Sequence, residues 1–472
     1  MPQLQLIAEL SSHNEPAWNV VFNPTRNLLA TCSTDKSIRL FSYILPSSND
    51  TSTSPTTTTT TSSSSSGGLD LDLPSSSSSK PVFSLNKIIE TEHKRTVRSI
   101  CWSNDGKTLA SGSFDSTVNI YEEVIPDDDD DVDSDQGEDD DQEQGEGIYK
   151  PKSQGIEGGN SLKKEWECVT SLEGHESECK SVAFSNDGSL LASCSRDKSV
   201  WVWEVQPDSD FECIAVMMEH TQDVKCIAWH PHEEILASAS YDSHIHLAFD
   251  DPDSDWTIFQ KLHPKLPLIP LTLSSSNSNS SKSLIDALIP SKEEKELQDK
   301  LIIPPLEEDE TIWSLAFSPN GKYLACGGDL GGIRIFKKGG NQIDSQWIEI
   351  IHLGVHSRSI FSLSWSPSPL FSSSSSSQED NVEEEEEDLG LLASTGSDGK
   401  IVIFHLKTTN TTKNGIDIKP IAAIKNAHGV NDINHLSWNI RKDDPKEKKG
   451  LGILSSVADD GSIKVWRLVN DD

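Results

Sequence analysis

The sequence has no apolar run near the length of about 18 residues that a membrane-spanning helix needs, and only 34% of its 472 residues are hydrophobic. Its first ten residues, MPQLQLIAEL, lack both the basic start and the long apolar core of a secretory signal peptide. We therefore expect a soluble protein that neither enters the membrane nor is secreted.

Paired cysteines are also missing. The eight cysteines are scattered along the chain, and no two of them form a Cys-x-x-Cys pair. This excludes the common zinc sites and a disulfide framework, and it favours a reduced compartment, the cytoplasm or the nucleus. The pairs His230/His232 and His244/His246 lack neighbouring Cys or carboxylate ligands, so a structural role is favoured over metal binding. We expect no cofactor and no metal.

Basic residues are scarce, with 40 Lys and Arg against 76 Asp and Glu, for a net charge of −36. Residues 127–146 carry 13 of the carboxylates and residues 379–388 carry 8, so much of this charge belongs to two short tracts. The rest of the chain is only mildly acidic. Because phosphate binding needs concentrated Lys and Arg, nucleic acid is a poor candidate ligand.

What the sequence does contain is a repeat. Its clearest copy, GHESECKSVAFSNDGSLLASCSRDKSVWVWE, has alternating apolar residues in short segments, a turn Asp and an aromatic ending. Seven copies occur, at about 13–42, 93–122, 175–204, 220–249, 311–337, 356–405 and 428–467. They resemble WD40 repeats, which implies an all-β, seven-bladed β-propeller forming a single domain.

Four polar positions recur in these copies. In WD40 blades, a His, a Ser or Thr, an Asp and a Trp are hydrogen-bonded to one another, and we interpret the matching residues here as structural rather than catalytic. The two complete sets are His175, Ser193, Asp197 and Trp203, and His428, Ser456, Asp460 and Trp466. The fourth copy has Ala248 in place of the aromatic residue. The fifth lacks the His and has Leu330 in place of the Asp, so its blade is expected to be the least rigid.

The chain stops before the seventh blade has an outer strand, and the alternating residues 4–10 can supply it. Low-complexity inserts interrupt the repeats and are expected to be disordered loops within the one domain. They lie at about 46–80, 123–161, 264–305, 372–388 and 441–449. A short helix is indicated at 293–301.

Two recurring positions are expected to face the same mouth of the central channel. The start of the first strand reads Trp18, Arg98, Lys180, Lys225, Trp313, Phe361 and Asn434, and the residue before the turn Asp reads Thr34, Phe114, Arg196 and Tyr241 in the first four copies. Arginine and aromatic residues are typical of protein-interface hot spots, although each could be an ordinary loop residue. The predicted partner-binding residues are Arg196, Arg98, Lys180, Lys225, Phe114, Tyr241, Trp18 and Trp313.

Several motifs are more specific than the repeat. They are WECVTSLEGHE from Trp166, SCSRDKSVWVWE from Ser193, FECIAVMMEH from Phe211, HTQDVKCIAWHP from His220, LASASYD from Leu236 and HSRSI from His356. Together they resemble the WD40 subunit family of the cytosolic iron-sulfur protein assembly machinery. The resemblance covers all seven repeats and fails only in the inserts.

That resemblance implies a non-enzymatic scaffold of a late-acting targeting complex. The implied partners are a HEAT-repeat protein, a small MIP18-type subunit, an iron-only-hydrogenase-like carrier and iron-sulfur apoproteins, in the cytoplasm and the nucleus. The family's important surface arginine corresponds to Arg196. The alternatives are a ubiquitin-ligase substrate receptor and a chromatin- or histone-binding propeller. Both are disfavoured because a reader of basic peptides needs carboxylates where blades two to four present cations.

Overall fold

A computed structural model describes residues 2–44, 81–124, 165–251, 255–271, 284, 286–288, 310–366, 387–439 and 452–469. These residues form seven sheets, one for each blade, and all their strand pairs are antiparallel except β18 with β22. The fold class predicted from the repeat, an all-β seven-bladed WD40 propeller, is confirmed.

The blades follow one another along the chain. Each has an inner, a second, a third and an outer strand, named in that order below. Blade one contains β2 (Ala17–Phe22), β3 (Leu28–Ser33), β4 (Ser37–Ile44) and β5 (Val82–Glu90). Blade two contains β6 (Val97–Trp102), β7 (Thr108–Ser113), β8 (Val118–Val124) and β9 (Glu165–Leu172). Blade three contains β10 (Cys179–Phe184), β11 (Leu190–Ser195), β12 (Val200–Val205) and β13 (Phe211–Met217), with a single 3-10 turn at Pro207–Ser209.

Blade four contains β14 (Val224–Trp229), β15 (Ile235–Ser240), β16 (Ile245–Asp250) and β17 (Trp256–Leu262). Blade five contains β19 (Ile312–Phe317), β20 (Tyr323–Gly328), β21 (Gly332–Lys338) and β22 (Trp347–Gly354), with β18 (Ile269–Pro270) added outside β22. Blade six contains β23 (Ile360–Trp365), β24 (Asp388–Gly396), β25 (Ile401–Thr408) and β26 (Ile416–Ile424). Blade seven contains β27 (Ile433–Trp438), β28 (Ile453–Ala458), β29 (Ile463–Val469) and, as its outer strand, β1 (Gln3–Leu10).

The inner strands of neighbouring blades contact one another around the whole ring, including β27 with β2. The second strands are buried along nearly their entire length and are rich in Ala, Ser and Cys, as in LLASCS of β11. Small side chains are needed there because each blade is covered on both faces by its neighbours. β1 pairs with β29 from Gln3↔Val469 to Leu10↔Ile463, so the first strand of the chain is hydrogen-bonded to the last.

The two ends of the ring differ in what they carry. We call the end where the second and third strands of a blade are joined, as at Asp197, the upper face, and the opposite end the lower face. Five stretches outside the described residues begin and end at the lower face, at 44/81, 124/165, 251/255, 366/387 and 439/452. The segment between 271 and 310, of which 284 and 286–288 are described, connects blade four to blade five and leaves from the upper side.

Three predicted insert boundaries need correction. Glu123 and Val124, placed in the 123–161 insert, belong to β8, and Asp388, placed in the 372–388 insert, begins β24. The described residues of the 264–305 insert include regular structure. Within it, β18 pairs in parallel with β22, and the helical residues Leu284 and Leu288 are buried in a core cluster with residues of blades five and six. The predicted helix 293–301 and the inserts 46–80 and 441–449 lie outside the described residues.

The fifth blade compensates for its missing histidine with charged side chains. Arg334 pairs with Glu310 at 2.7 Å and with Glu349 at 2.7 Å, and all three side chains are less than 10% exposed. Glu349 also accepts the backbone N–H groups of Lys265 and Leu266, which lead into β18. The sequence suggested that this blade is the least rigid, but the structure gives it a buried ion-pair network and an additional strand.

Candidate partner-binding site

The polar set of blade three is continuous. The Nδ1 of His175 lies 2.9 Å from Asp197, and its Nε2 lies 2.9 Å from the hydroxyl of Ser193. Because the carboxylate can only accept, Nδ1 carries the proton, and Nε2 accepts from Ser193. The same hydroxyl accepts from Nε1 of Trp203 at 3.1 Å. The set therefore joins the upper turn to the middle of the blade.

The set of blade seven is looser at one link. The Nε2 of His428 lies 2.6 Å from Ser456, which accepts from Trp466 at 2.8 Å. The carboxylate of Asp460, however, is 3.8 Å from Nδ1, and the hydroxyl of Ser462 takes its place at 2.6 Å. Burial, aided by the nearby Lys464 ammonium, lowers the pKa of His428 to about 4, so this imidazole is neutral at pH 7.

Hydrogen bonding fixes the charge of the turn aspartate in blade three. Burial alone raises the pKa of Asp197, but hydrogen bonds from His175 and Ser199 outweigh it and hold the pKa well below its usual range. The carboxylate is therefore ionised and held in place by its own blade. A group of this kind organises the upper turns and does not itself offer a free binding surface.

A β-bulge occurs at the first-strand position of every blade. The pairing between inner and second strands skips one residue in each sheet, for example Lys180 between Cys179↔Ser195 and Ser181↔Cys194. The skipped residues are Trp18, Arg98, Lys180, Lys225, Trp313, Phe361 and Asn434. A bulge re-aims the side chain of the extra residue, and here seven bulges place seven side chains around the upper mouth of the channel. We call these seven side chains the mouth ring.

Cations and aromatic rings alternate around one side of the mouth ring. The Arg98 guanidinium lies 4.8 Å from the ring centre of Trp18 in the preceding blade. Likewise, the Lys180 ammonium lies 4.0 Å from the ring of Phe114, again one blade back. Both distances are within the range of cation–π attraction. The structure thus brings together predicted residues of blades one, two and three through contacts between blades.

The same alternation continues into blade five. The Lys225 ammonium lies 5.4 Å from the ring of Tyr241 and 5.1 Å from that of Trp313. Trp313 in turn packs edge-to-face on Phe361 at 5.5 Å, and its Nε1 donates to Asp329 at 2.6 Å. Seven of the eight predicted residues are therefore in contact with another predicted residue, in three groups that extend from blade one to blade five.

Two carboxylates that the sequence reasoning missed lie in this band. Glu178 is 2.6 Å from the ammonium of Lys180, and Asp223 is 3.3 Å from that of Lys225. Each acid precedes its lysine by two positions and lies directly before the inner strand, a pattern that was readable from the sequence. We call the predicted residues described above, together with these two carboxylates, the upper patch. The upper patch is therefore mixed in charge and does not present only cations, which is what the sequence had indicated.

Arg196 lies farther out on the same patch. Its side chain is 57% exposed, and its guanidinium is 3.7 Å from Glu178 and 3.9 Å from Asp223. Exposed ion pairs of this length contribute little, so most of its donors remain open to a partner. Arg95 joins the patch with an ion pair to Glu178 at 2.9 Å and a 5.8 Å approach to Phe114. Neither the repeat alignment nor the motifs had indicated it.

The two His-x-His pairs have structural contacts. The Nε2 atoms of His230 and His232 lie 2.8 and 2.7 Å from backbone carbonyls of Gly321 and Pro319 in the next blade. His246 stacks on His220 with ring centres 3.7 Å apart. Across the described residues, no group of three or more His, Cys, Asp or Glu side chains is placed to hold a metal ion. In the same part of the chain, no helix is long and apolar enough to cross a membrane.

The fold and this mouth define a WD40 propeller with a charged and aromatic upper face. The family model described as WD domain, G-beta repeat matches residues 4–42, 81–122, 166–204, 211–247 and 305–337. A relative from Cryptococcus neoformans var. neoformans, called probable cytosolic iron-sulfur protein assembly protein 1, is 59% identical over the full length of both chains.

Relatives with the same name from Debaryomyces hansenii and Vanderwaltozyma polyspora are 34% and 31% identical, each over 98% of this chain and 99% of their own. The chain belongs to the cytosolic iron-sulfur protein assembly protein 1 family. The resemblance drawn from the motifs is confirmed.

Proposed function

We propose that this protein is a non-catalytic scaffold of the cytosolic iron-sulfur assembly machinery and that it binds its partners at the upper face. The observation that carries this proposal is the 59% identity, over the full length of both chains, to a relative named for that assembly. The fold supports it, because a rigid closed ring presents side chains of several blades to one partner at low entropic cost.

The upper patch supports a protein partner with acidic and aromatic side chains. Arg196 and Arg95 have exposed guanidinium groups, which bind carboxylates through two parallel hydrogen bonds. Phe114 and Tyr241 flank them and bury large areas with little entropy loss. We propose the HEAT-repeat protein, the MIP18-type subunit, the hydrogenase-like carrier and iron-sulfur apoproteins as partners, in the cytoplasm and the nucleus.

The upper patch gives less support to a function in binding methylated basic peptides. Such readers bind a ligand cation inside a cage of aromatic rings. Here the rings of Tyr241 and Trp313 already flank the protein's own Lys225, which Asp223 holds from the other side. A ligand ammonium would have to displace this lysine. The ubiquitin-ligase and chromatin alternatives therefore serve as outcomes of the experiment below.

The experiment is affinity capture of the tagged protein from its native cytosol, with partners identified by mass spectrometry. Wild type is expected to recover the HEAT-repeat and carrier proteins, and Arg196→Glu is expected to lose at least one of them with unchanged thermal unfolding. Arg358→Glu is the matched control, because Arg358 is an exposed arginine of blade six, outside the patch.

Loss of the same partners in both variants would indicate a general charge effect and remove the assignment of the patch. Recovery of ubiquitin-ligase or chromatin subunits by wild type would overturn the assembly role itself. Full retention of all partners by Arg196→Glu would mean that the docking surface lies elsewhere on the ring.

A further inference from the structure

Arg98 differs from the other cations of the upper mouth in its contacts. No hydrogen bond or ion pair joins its guanidinium to any described residue, and its one polar contact is the face of Trp18 at 4.8 Å. Lys180, Lys225, Arg95 and Arg196 each have a carboxylate within 4 Å. Arg98 is half-buried, and burial lowers its pKa.

The guanidinium of Arg98 points from the mouth ring towards the central channel. Its charge reaches Cys32 of blade one, Cys226 of blade four and His435 of blade seven. The pKa of His435 is lowered to about 4, first by burial and then by Arg98. Only a position near the channel axis brings one side chain of blade two close to all three blades.

The charges around Arg98 do not balance. Burial lowers the pKa of Lys180 although Glu178 opposes this, and the positive charges of Lys225 and Arg98 lower it further. Three cations thus lie within electrostatic reach of one another, while the two carboxylates of this region are already paired with the lysines. One positive charge, that of Arg98, remains without a counter-charge among the described residues.

A half-buried charge has lost part of its hydration, and an opposite charge that replaces the lost solvent stabilises it. Arginine presents a planar fork of N–H donors that matches two oxygens of an oxyanion. Cys32, Cys226 and His435 are neutral at pH 7 according to their pKa values, so none of them supplies the missing negative charge.

We propose that the upper channel binds one small oxyanion of the phosphate or sulfate class, held by the Arg98 guanidinium with help from the Lys180 ammonium. The bulge at Arg98 directs the side chain to the mouth, and the Trp18 ring packs against the guanidinium at 4.8 Å. This site goes beyond the proposed scaffold role and is independent of it, since its binding is tested on the isolated protein. A bound anion would also neutralise the mouth beneath the exposed Arg196.

The test is thermal unfolding of the purified full chain in inorganic phosphate, with sodium chloride added to keep the ionic strength constant. Phosphate at 20 mM is expected to raise the melting temperature of wild type by about 2–4 °C, with saturation. Arg98→Gln is expected to lose this saturable rise. Arg26→Gln is the matched control, because Arg26 is paired with Glu123 and lies at the lower face.

Phosphate also stabilises folded proteins in general because it is excluded from their surface. This effect is equal in all variants and does not saturate, so the difference in melting temperature between variants isolates the site. An equal saturable rise in wild type and Arg98→Gln would overturn the proposal, as would no saturable rise in wild type. If Arg98→Gln does not fold, phosphorus NMR of wild type decides. The site is supported if sulfate, but not chloride, reduces the phosphate linewidth by competition. An unchanged linewidth refutes it. None of these outcomes depends on partner capture.

Discussion

The Ser193 hydroxyl is the point where the polar set of blade three can be tested most sharply. It donates to Nε2 of His175 and accepts from Nε1 of Trp203, and it is fully buried. Ser193→Ala leaves one buried acceptor and one buried donor without a partner, at about 1–3 kcal/mol each. We expect a loss of about 2–4 kcal/mol in the free energy of unfolding, measured by urea denaturation with far-UV circular dichroism.

Blade six supplies a matched control. Ser394 occupies the same position and is equally buried, and it contacts Nε2 of His356 at 2.9 Å. The aromatic residue of that blade is Phe404, which has no N–H to donate. Ser394→Ala therefore leaves only one group unpaired, and we expect it to cost about 1–2 kcal/mol, roughly half the cost in blade three.

A double-mutant cycle separates the hydrogen bond from the packing. In a Trp203→Phe background the indole donor is gone, so Ser193→Ala is expected to cost about 1 kcal/mol less than in wild type. Phenylalanine is tolerated at this position, since Phe41, Phe336 and Phe404 occupy it in other blades. Equal costs in both backgrounds, or equal costs for Ser193→Ala and Ser394→Ala, would refute the reasoning.

Three further predictions concern the closure of the ring and its buried charges. Deletion of residues 1–10 removes the partner of β29 and is expected to lower thermal stability by about 4–6 kcal/mol and to promote aggregation through the open edge, measured by calorimetry and light scattering. The free energy of unfolding is expected to fall as pH drops from 6.5 towards 4, and His428 accounts for up to about 3 kcal/mol of this fall. Its folded pKa of about 4 means that only the unfolded chain takes up the proton in this range; urea denaturation at several pH values measures it. Glu310→Gln is expected to cost about 1–3 kcal/mol in urea denaturation, because Arg334 keeps Glu349 but loses half of its buried charge compensation.

Each of these three predictions has a contrary outcome. Unchanged melting after the deletion would mean that β1 adds nothing to blade seven. A free energy of unfolding that stays constant down to pH 4.5 would contradict the burial of His428 as a neutral imidazole. For the fifth blade, Glu167→Gln on an exposed outer strand is the control, and an equal cost for both substitutions would mean that the network adds no stability.

The fold class could be predicted because its signals are local. The turn aspartate, the alternating strands and the Ser/His set all fall within one copy of the repeat. Each copy therefore predicts the structure of its own blade. The mouth ring was also accessible, because aligned copies place equivalent residues at equivalent bulges. The geometry of the mouth ring could not be predicted, because a bulge depends on the register between two strands and no residue type marks it in the sequence.

The misses have a different physical origin. Glu178 and Asp223 lie within two residues of predicted lysines, but their importance comes from ion pairs that close across the upper face and involve Arg95 and Arg196 of other elements. β18 was assigned to a disordered insert because two residues are too few to show a periodicity. Its order comes from contacts of the preceding segment with Glu349 and Arg334, more than 60 residues later.

The two acidic tracts are attached to the ring at the end opposite the partly cationic mouth. The tract 127–146 lies between Val124 and Glu165, and most of the tract 379–388 lies between Ser366 and Glu387, so both are attached at the lower face. Exposed charges separated by more than about 10 Å are largely screened at physiological salt. A partner that docks on the upper patch, as we propose, is therefore expected to respond to the charges of the patch itself and not to charges at the attachment points of the tracts.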